Sequence, residues 1–137
     1  PYTTLFRSFP QASGDWTAGV PLPGGDFPVD GVDALIARLG AAYPFLSPRD
    51  TRRLVRTYGT DAFHLLGQAK GLDDLGQHFG AGLTEAELRW LIDREYARTA
   101  QDILWRRTKL GLHMNEDQVR AVDARVAAML PVAAAAE

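Results

Sequence analysis

Apolar positions recur at intervals of three and four residues along most of the chain, the spacing that gathers side chains on one face of an α-helix. Val32, Leu35, Ile36 and Leu39 predict a first helix from about Val32 to Tyr43, stopped by Pro44. Ser47 is placed to cap a second helix, with Pro48 at its first position and Asp50 at its third. The inner face of that helix is Thr51, Leu54, Val55 and Tyr58, and Gly59 ends it. A short third helix from about Asp61 to Ala69 buries Phe63 and Leu66. Thr84-Glu85-Ala86-Glu87 has the form of a capping box, in which the threonine oxygen takes the Glu87 amide and the glutamate returns to the threonine amide. The helix it opens has the inner stripe Leu88, Leu91, Ile92 and Tyr96. Thr99 offers a cap for a fifth helix carrying Ile103, Leu104 and Trp105 and closed by Gly111. Asn115 with Gln118 opens the last, with Val119, Val122, Val126 and Met129 or Leu130 facing inward.

Regular patterning fails in two places. Glycines at 67, 71, 76, 80 and 82 predict a structured loop with one helical turn. Residues 9–31 are rich in Gly and Pro around Pro21-Leu22-Pro23-Gly24-Gly25-Asp26 and read as an interdomain linker, in which Trp16 needs a surface to pack against. No sustained strand alternation and no repeat period is present. The fold class predicted is all-α: an irregular bundle of five or six helices over residues 32–130, preceded by a Pro/Gly-rich extended segment and followed by an alanine-rich tail at 131–137. Pro1-Tyr2-Thr3-Thr4-Leu5-Phe6-Arg7-Ser8 reads as the in-frame translation of a sequencing adaptor rather than natural protein.

With 137 residues the chain has the size of one domain, and a hydrophobic fraction of 46% against 23% charged residues is that of a globular protein. Fifteen Lys and Arg against seventeen Asp and Glu leave a net charge of -2, so no global positive field draws the chain to nucleic acid or anionic lipid. The absence of cysteine rules out disulfides, thiolate metal sites and a cysteine nucleophile. No apolar run reaches the roughly 20 residues of a membrane-spanning helix.

Chemistry-bearing patterns are weak. His64, His78 and His113 do not pair at helical ligand spacing, so no metal site is marked, and the acidic residues Glu85, Glu87, Asp102, Glu116 and Asp117 sit at helix starts, where the dipole favours them. Gly76-Gln77-His78-Phe79-Gly80 lacks the lysine and context of a phosphate loop; its glycines suit tight turns or close packing against a neighbour, taken to be an absent domain. Arg49, Arg52, Arg53 and Arg56 cluster before a second short helix, as in a helix-turn-helix, but that second helix has few donors, and a solvated arginine face is the simpler reading. Trp105-Arg106-Arg107-Thr108 stands out. Asp102 can pair with Arg106 one turn along, whereas extending the apolar stripe brings in Arg107, whose guanidinium should lean inward or toward an interface. The residues singled out for structural or interdomain roles are therefore Trp16, Arg106, Arg107 and Thr108; no catalytic, cofactor-binding or metal-binding residue is assigned.

Trp16-Thr17-Ala18, Leu22-Pro23-Gly24-Gly25-Asp26, Tyr43-Pro44-Phe45-Leu46, Arg56-Thr57-Tyr58-Gly59, Asp74-Leu75-Gly76, Glu85-Ala86-Glu87-Leu88 and Asp102-Ile103-Leu104-Trp105-Arg106-Arg107-Thr108 occur in this order. In these residues the chain resembles the carboxy-terminal domain of the FAD-dependent, aerobic glycerol-3-phosphate dehydrogenases and the related alpha-glycerophosphate oxidases. The resemblance implies a helical cap or association domain of an oxidoreductase of glycerol metabolism. The full enzyme would oxidise sn-glycerol 3-phosphate to dihydroxyacetone phosphate, reducing FAD and then quinone, or oxygen in the oxidases. It further implies that FAD and substrate are held by a preceding domain, so that the fragment itself is inactive and binds no cofactor. The partners implied are that amino-terminal FAD-binding domain and, through the full enzyme, a quinone, with a homo-oligomer as a further option and no nucleic acid. The implied location is cytoplasmic, with peripheral attachment to the inner face of the membrane left open. The alternative reading is a free-standing helical protein-protein interaction module.

Overall fold

The computed structural model describes residues 17–130; the adaptor-like start, Trp16 and the alanine-rich tail lie outside the described residues. Five α-helices carry the architecture: α1 (Val32–Ala42), α2 (Pro48–Tyr58), α3 (Asp61–Leu66), α4 (Glu85–Glu95) and α5 (Glu116–Met129). Short 3-10 turns at Thr17–Gly19, Leu72–Leu75 and Leu110–His113 and a π-helical segment at Asp102–Arg107 complete the helical set. This is the all-α bundle the periodicity predicts, with one addition. His78–Gly80 (β1) pairs antiparallel with Leu83–Thr84 (β2) through a two-residue turn, Ala81-Gly82, in which both residues have positive φ. Strands of three and two residues are too short to display an alternating pattern, which is why none was expected.

The caps follow from local chemistry. Ser47 Oγ accepts the Asp50 amide at 3.1 Å, and Asn115 and Gln118 satisfy each other's amides at 2.9 and 3.0 Å. At α4 only half of the expected capping box forms: Thr84 Oγ1 accepts the Glu87 amide at 3.4 Å, but the Glu87 carboxylate turns to α2 instead. Thr99 caps the fifth helical stretch reciprocally with Asp102, whose carboxylate accepts the Arg98 and Thr99 amides.

One core joins the elements. Leu35 and Leu39 of α1, Leu54, Val55 and Tyr58 of α2, Leu88, Leu91 and Ile92 of α4, Ile103, Leu104, and Val122 and Val126 of α5 are all buried. Tyr43 ties α1 to α3 by donating to the Gly67 carbonyl at 2.8 Å, which satisfies a group left free at the end of α3. The first departure from the expected stripe is Tyr96. Helix α4 stops at Glu95, Tyr96 takes the left-handed conformation (φ 57°) with its ring exposed, and the Ala97 amide reaches back to the Leu91 carbonyl at 2.9 Å. This is a Schellman-type ending that buries Ala97 in place of the tyrosine.

The Pro/Gly segment is docked on the bundle. The Thr60 amide donates to the Gly24 carbonyl at 2.9 Å, and a Cβ added at Gly59 would lie 1.9 Å from that same oxygen. Both glycines have positive φ, 72° and 56°, so backbone meets backbone at a contact no other residue pair would allow. Phe27 packs on the core beside it.

Candidate functional site

Two polar arrangements stand out, a buried ionic centre and an arginine-bearing face. The centre is built by α2 and α4. Arg53 Nη1 and Nη2 donate to Glu87 Oε1 and Oε2 at 2.7 and 2.8 Å, a planar two-pronged match of guanidinium to carboxylate. Arg53 Nη2 also donates to the Gly82 carbonyl at 2.7 Å, so the pair clamps the hairpin turn as well. Tyr58 donates its hydroxyl to Glu87 Oε1 at 2.7 Å. Burial drives the Tyr58 hydroxyl far above its ordinary value, and the Glu87 charge acts in the same direction. For Arg53, burial pulls downward, but the hydrogen bond and charge of Glu87 outweigh it and the guanidinium ends above its usual range. Both acceptor oxygens of Glu87 are engaged, so the centre is a structural clamp. Arg53 therefore does not belong to a solvated arginine face, whereas Arg49, Arg52 and Arg56 are exposed as expected.

The Trp105-Arg106-Arg107-Thr108 run adopts a π-helical turn. The Thr108 amide donates to the Ile103 carbonyl, five residues back, at 3.0 Å, and the Thr108 hydroxyl donates to the same oxygen at 2.7 Å. Arg106 pairs with Asp102, as the spacing predicts. Arg107 does not lean inward: it is exposed and forms no ion pair among the described residues, and its charge acts on Glu95. The wider π turn rotates the arginines off the apolar stripe that a 3.6-residue helix would have continued. Trp105 is 40% exposed and lies against Gly111, where an added Cβ would come within 2.7 Å of the indole. Gly111 is accordingly a packing position; the left-handed residue that ends the turn is Lys109 (φ 59°). The structure thus brings Arg106 and Thr108 together with Asp102 and Ile103, and leaves Arg107 pointing outward.

A groove of about 1160 Å³ runs between the docked Pro/Gly segment and helices α2 to α4, bounded by Leu22, Phe27, Arg56, His64, Trp90 and Arg94 among others. Arg94 lies over the Trp90 ring at 5.6 Å, and Glu95 belongs to the lining, its carboxyl raised above the ordinary range by burial despite the attraction of Arg107. Elsewhere Glu85 joins α4 to α5 through Arg125 and to its own helix through Arg89, and these hydrogen bonds, Arg125 first, hold it down at about 2.

Residues 16–134 match the family described as the C-terminal domain of alpha-glycerophosphate oxidase. The chain belongs to that family. It is 48% identical over 103 residues to the aerobic glycerol-3-phosphate dehydrogenase of Escherichia coli (strain K12), covering 75% of this chain and 20% of that protein. The glycerol-3-phosphate dehydrogenase of Pseudomonas aeruginosa is 42% identical over 116 residues, 85% of this chain and 22% of the relative. The D-erythritol 1-phosphate dehydrogenase of Brucella abortus (strain 2308) is 42% identical over 112 residues, 82% and 22% respectively. The chain thus spans about a fifth of the length of the curated relatives it matches.

At the glycine-rich stretch between residues 76 and 82 the residues do not suit a flavin dinucleotide. At Gly76, Gly80 and Gly82, the space a cofactor phosphate would need is taken by the side chains of Glu85, Gln118 and Asp50, two of them acidic. The neighbour these glycines accommodate is the domain itself, not an absent one. Among the described residues there is no cluster of three or more metal-ligating side chains and no helix long and apolar enough to cross a membrane. Sequence reasoning missed the Arg53–Glu87–Tyr58 centre. A signal for half of it was present: Glu87 lies one helical turn before Leu91, on the apolar stripe rather than beside it.

Proposed function

We propose that this chain is the association domain of a flavoenzyme that oxidises a polyol phosphate, with sn-glycerol 3-phosphate as substrate and dihydroxyacetone phosphate as product. FAD on a preceding domain would take up the two electrons and hand them to a quinone. The domain's own part is to present a rigid helical surface to that body, and residues 9–137 bind no flavin. The observation that carries this reading is the pairing of the E. coli dehydrogenase likeness with a fold whose charged centre is turned inward, with both Glu87 oxygens engaged by Arg53 and Tyr58.

The likeness to D-erythritol 1-phosphate dehydrogenase favours a second substrate, a four-carbon polyol phosphate. The test is to express the uninterrupted reading frame that contains this sequence and record its flavin spectrum and its reduction of a quinone analogue with each phosphate. Bound flavin and turnover with glycerol 3-phosphate are expected. Saturable flavin binding by purified residues 9–137, or a full-length protein without flavin, would sink the reading.

A further inference from the structure

We infer that the groove walled by Leu22, Phe27, Arg56, His64, Trp90 and Arg94 is the face on which the preceding domain of the same polypeptide docks. This inference rests on the functional reading above. Three features select the groove. First, one of its walls is the Pro/Gly segment through which the chain enters the bundle, and in relatives of which this chain is about a fifth, a C-terminal domain is entered from the large remaining body. Second, the wall is held rigid by the Gly24–Gly59 backbone contact and the Thr60 to Gly24 hydrogen bond, so the cleft is formed before anything binds. Third, its lining combines aromatic rings with arginines and an exposed leucine, the composition enriched where proteins bury side chains against a partner.

The chemistry of the occupant follows from the lining. Trp90 and Phe27 offer apolar contact; Arg56 and Arg94 are exposed and form no ion pair among the described residues, and the acidic Asp61 and Glu95 share the lining. The occupant is therefore an apolar side chain of the preceding domain flanked by a carboxylate, which would pair with Arg94 or Arg56 once water is excluded.

Hydroxyl-radical footprinting of the 137-residue chain and of the full-length protein tests this directly. Labelling of Trp90 and His64 should fall at least about threefold in the full-length form, as expected for side chains covered by a partner. Arg94→Glu, at an exposed position, should return His64 labelling in the full-length protein toward that of the short chain, a readout that loss of the Arg94–Trp90 stacking does not itself move. Equal labelling of Trp90 and His64 in the two forms, or protection found only at Trp105 and His113, overturns the proposal. So does protection that appears in the short chain and grows with its concentration, which would give the groove to a second copy. A full-length protein lacking flavin and glycerol 3-phosphate oxidation would instead defeat the functional reading, so the two failures are separable.

Discussion

Arg53 and Glu87 are 34 residues apart and meet through two parallel hydrogen bonds of 2.7 and 2.8 Å, with the Glu87 side chain only 1% exposed. Such a pair adds little over well-packed apolar residues, yet breaking it strands a buried charge. Glu87→Ala should therefore destabilise the domain by about 3 to 5 kcal/mol, read from urea denaturation midpoints. Replacing the whole centre together, as Arg53→Met, Tyr58→Phe and Glu87→Leu, should recover most of that loss. A single variant within about 0.5 kcal/mol of the parent would mean the pair is not desolvated as described.

The Gly24–Gly59 contact makes a sharper steric prediction. Gly59→Ala adds a Cβ 1.9 Å from the Gly24 oxygen at a φ of 56°, so it should cost about 2 kcal/mol or more and loosen the Pro/Gly segment. Gly71→Ala is the control: nothing lies within 4 Å of its added Cβ, and its extended backbone suits any residue. Limited proteolysis near residue 25 should rise in the first variant alone.

The elements that were legible in the sequence are those whose signals are local. Ser47 before Pro48, and Asn115 before Gln118, each announce a helix start through a side chain and an amide three residues away. The misread positions are those where a distant partner outbids the local one. Glu87 had a nearby amide available at Thr84, but the Arg53 guanidinium offers two charge-assisted bonds, and Arg53 leaves its exposed neighbours for the same reason. Tyr96 and Arg107 were misplaced for another reason. Each was assigned by extending a 3.6-residue period past the point where the backbone changes pitch, at the α4 ending and at the π turn. The groove could not be read at all, because it exists only once residues 22–27 dock on α2 and α3.

Acid should weaken the joint between α4 and α5. Arg125 and Arg89 hold the Glu85 carboxyl at about 2 in the folded state, below its ordinary 4.5. A depressed carboxylate contributes stability that is complete above about 4.5 and is lost as pH falls toward 2. Glu85→Gln should lower the slope of stability against pH in that window, leaving the part due to Asp102, which its hydrogen bonds to Arg98, Thr99 and Arg106 also hold below the ordinary range. An unchanged slope would show that Glu85 is not paired in solution.

Glu95 carries the opposite sign. Burial raises its carboxyl above 4.5, so its charging opposes folding as pH rises through the folded value. Glu95→Gln should match the parent near pH 4 and exceed it at pH 7. A variant less stable than the parent at neutral pH would show that the attraction to Arg107 outweighs desolvation.

Tyr96 offers a test of strain. A left-handed conformation costs an ordinary residue about 1 to 2 kcal/mol, and the tyrosine ring, 75% exposed, gains little burial in return. Glycine at this helix ending relieves the steric cost, while its greater freedom in the unfolded chain takes back about 0.5 to 1 kcal/mol. Tyr96→Gly should consequently raise the thermal midpoint slightly, and Tyr96→Asn should behave similarly, since asparagine also tolerates the left-handed region. The buried Ala97 keeps the chain reversal in place in both variants. A fall in stability above about 1 kcal/mol would show that the ring makes contacts in solution that outweigh the backbone strain.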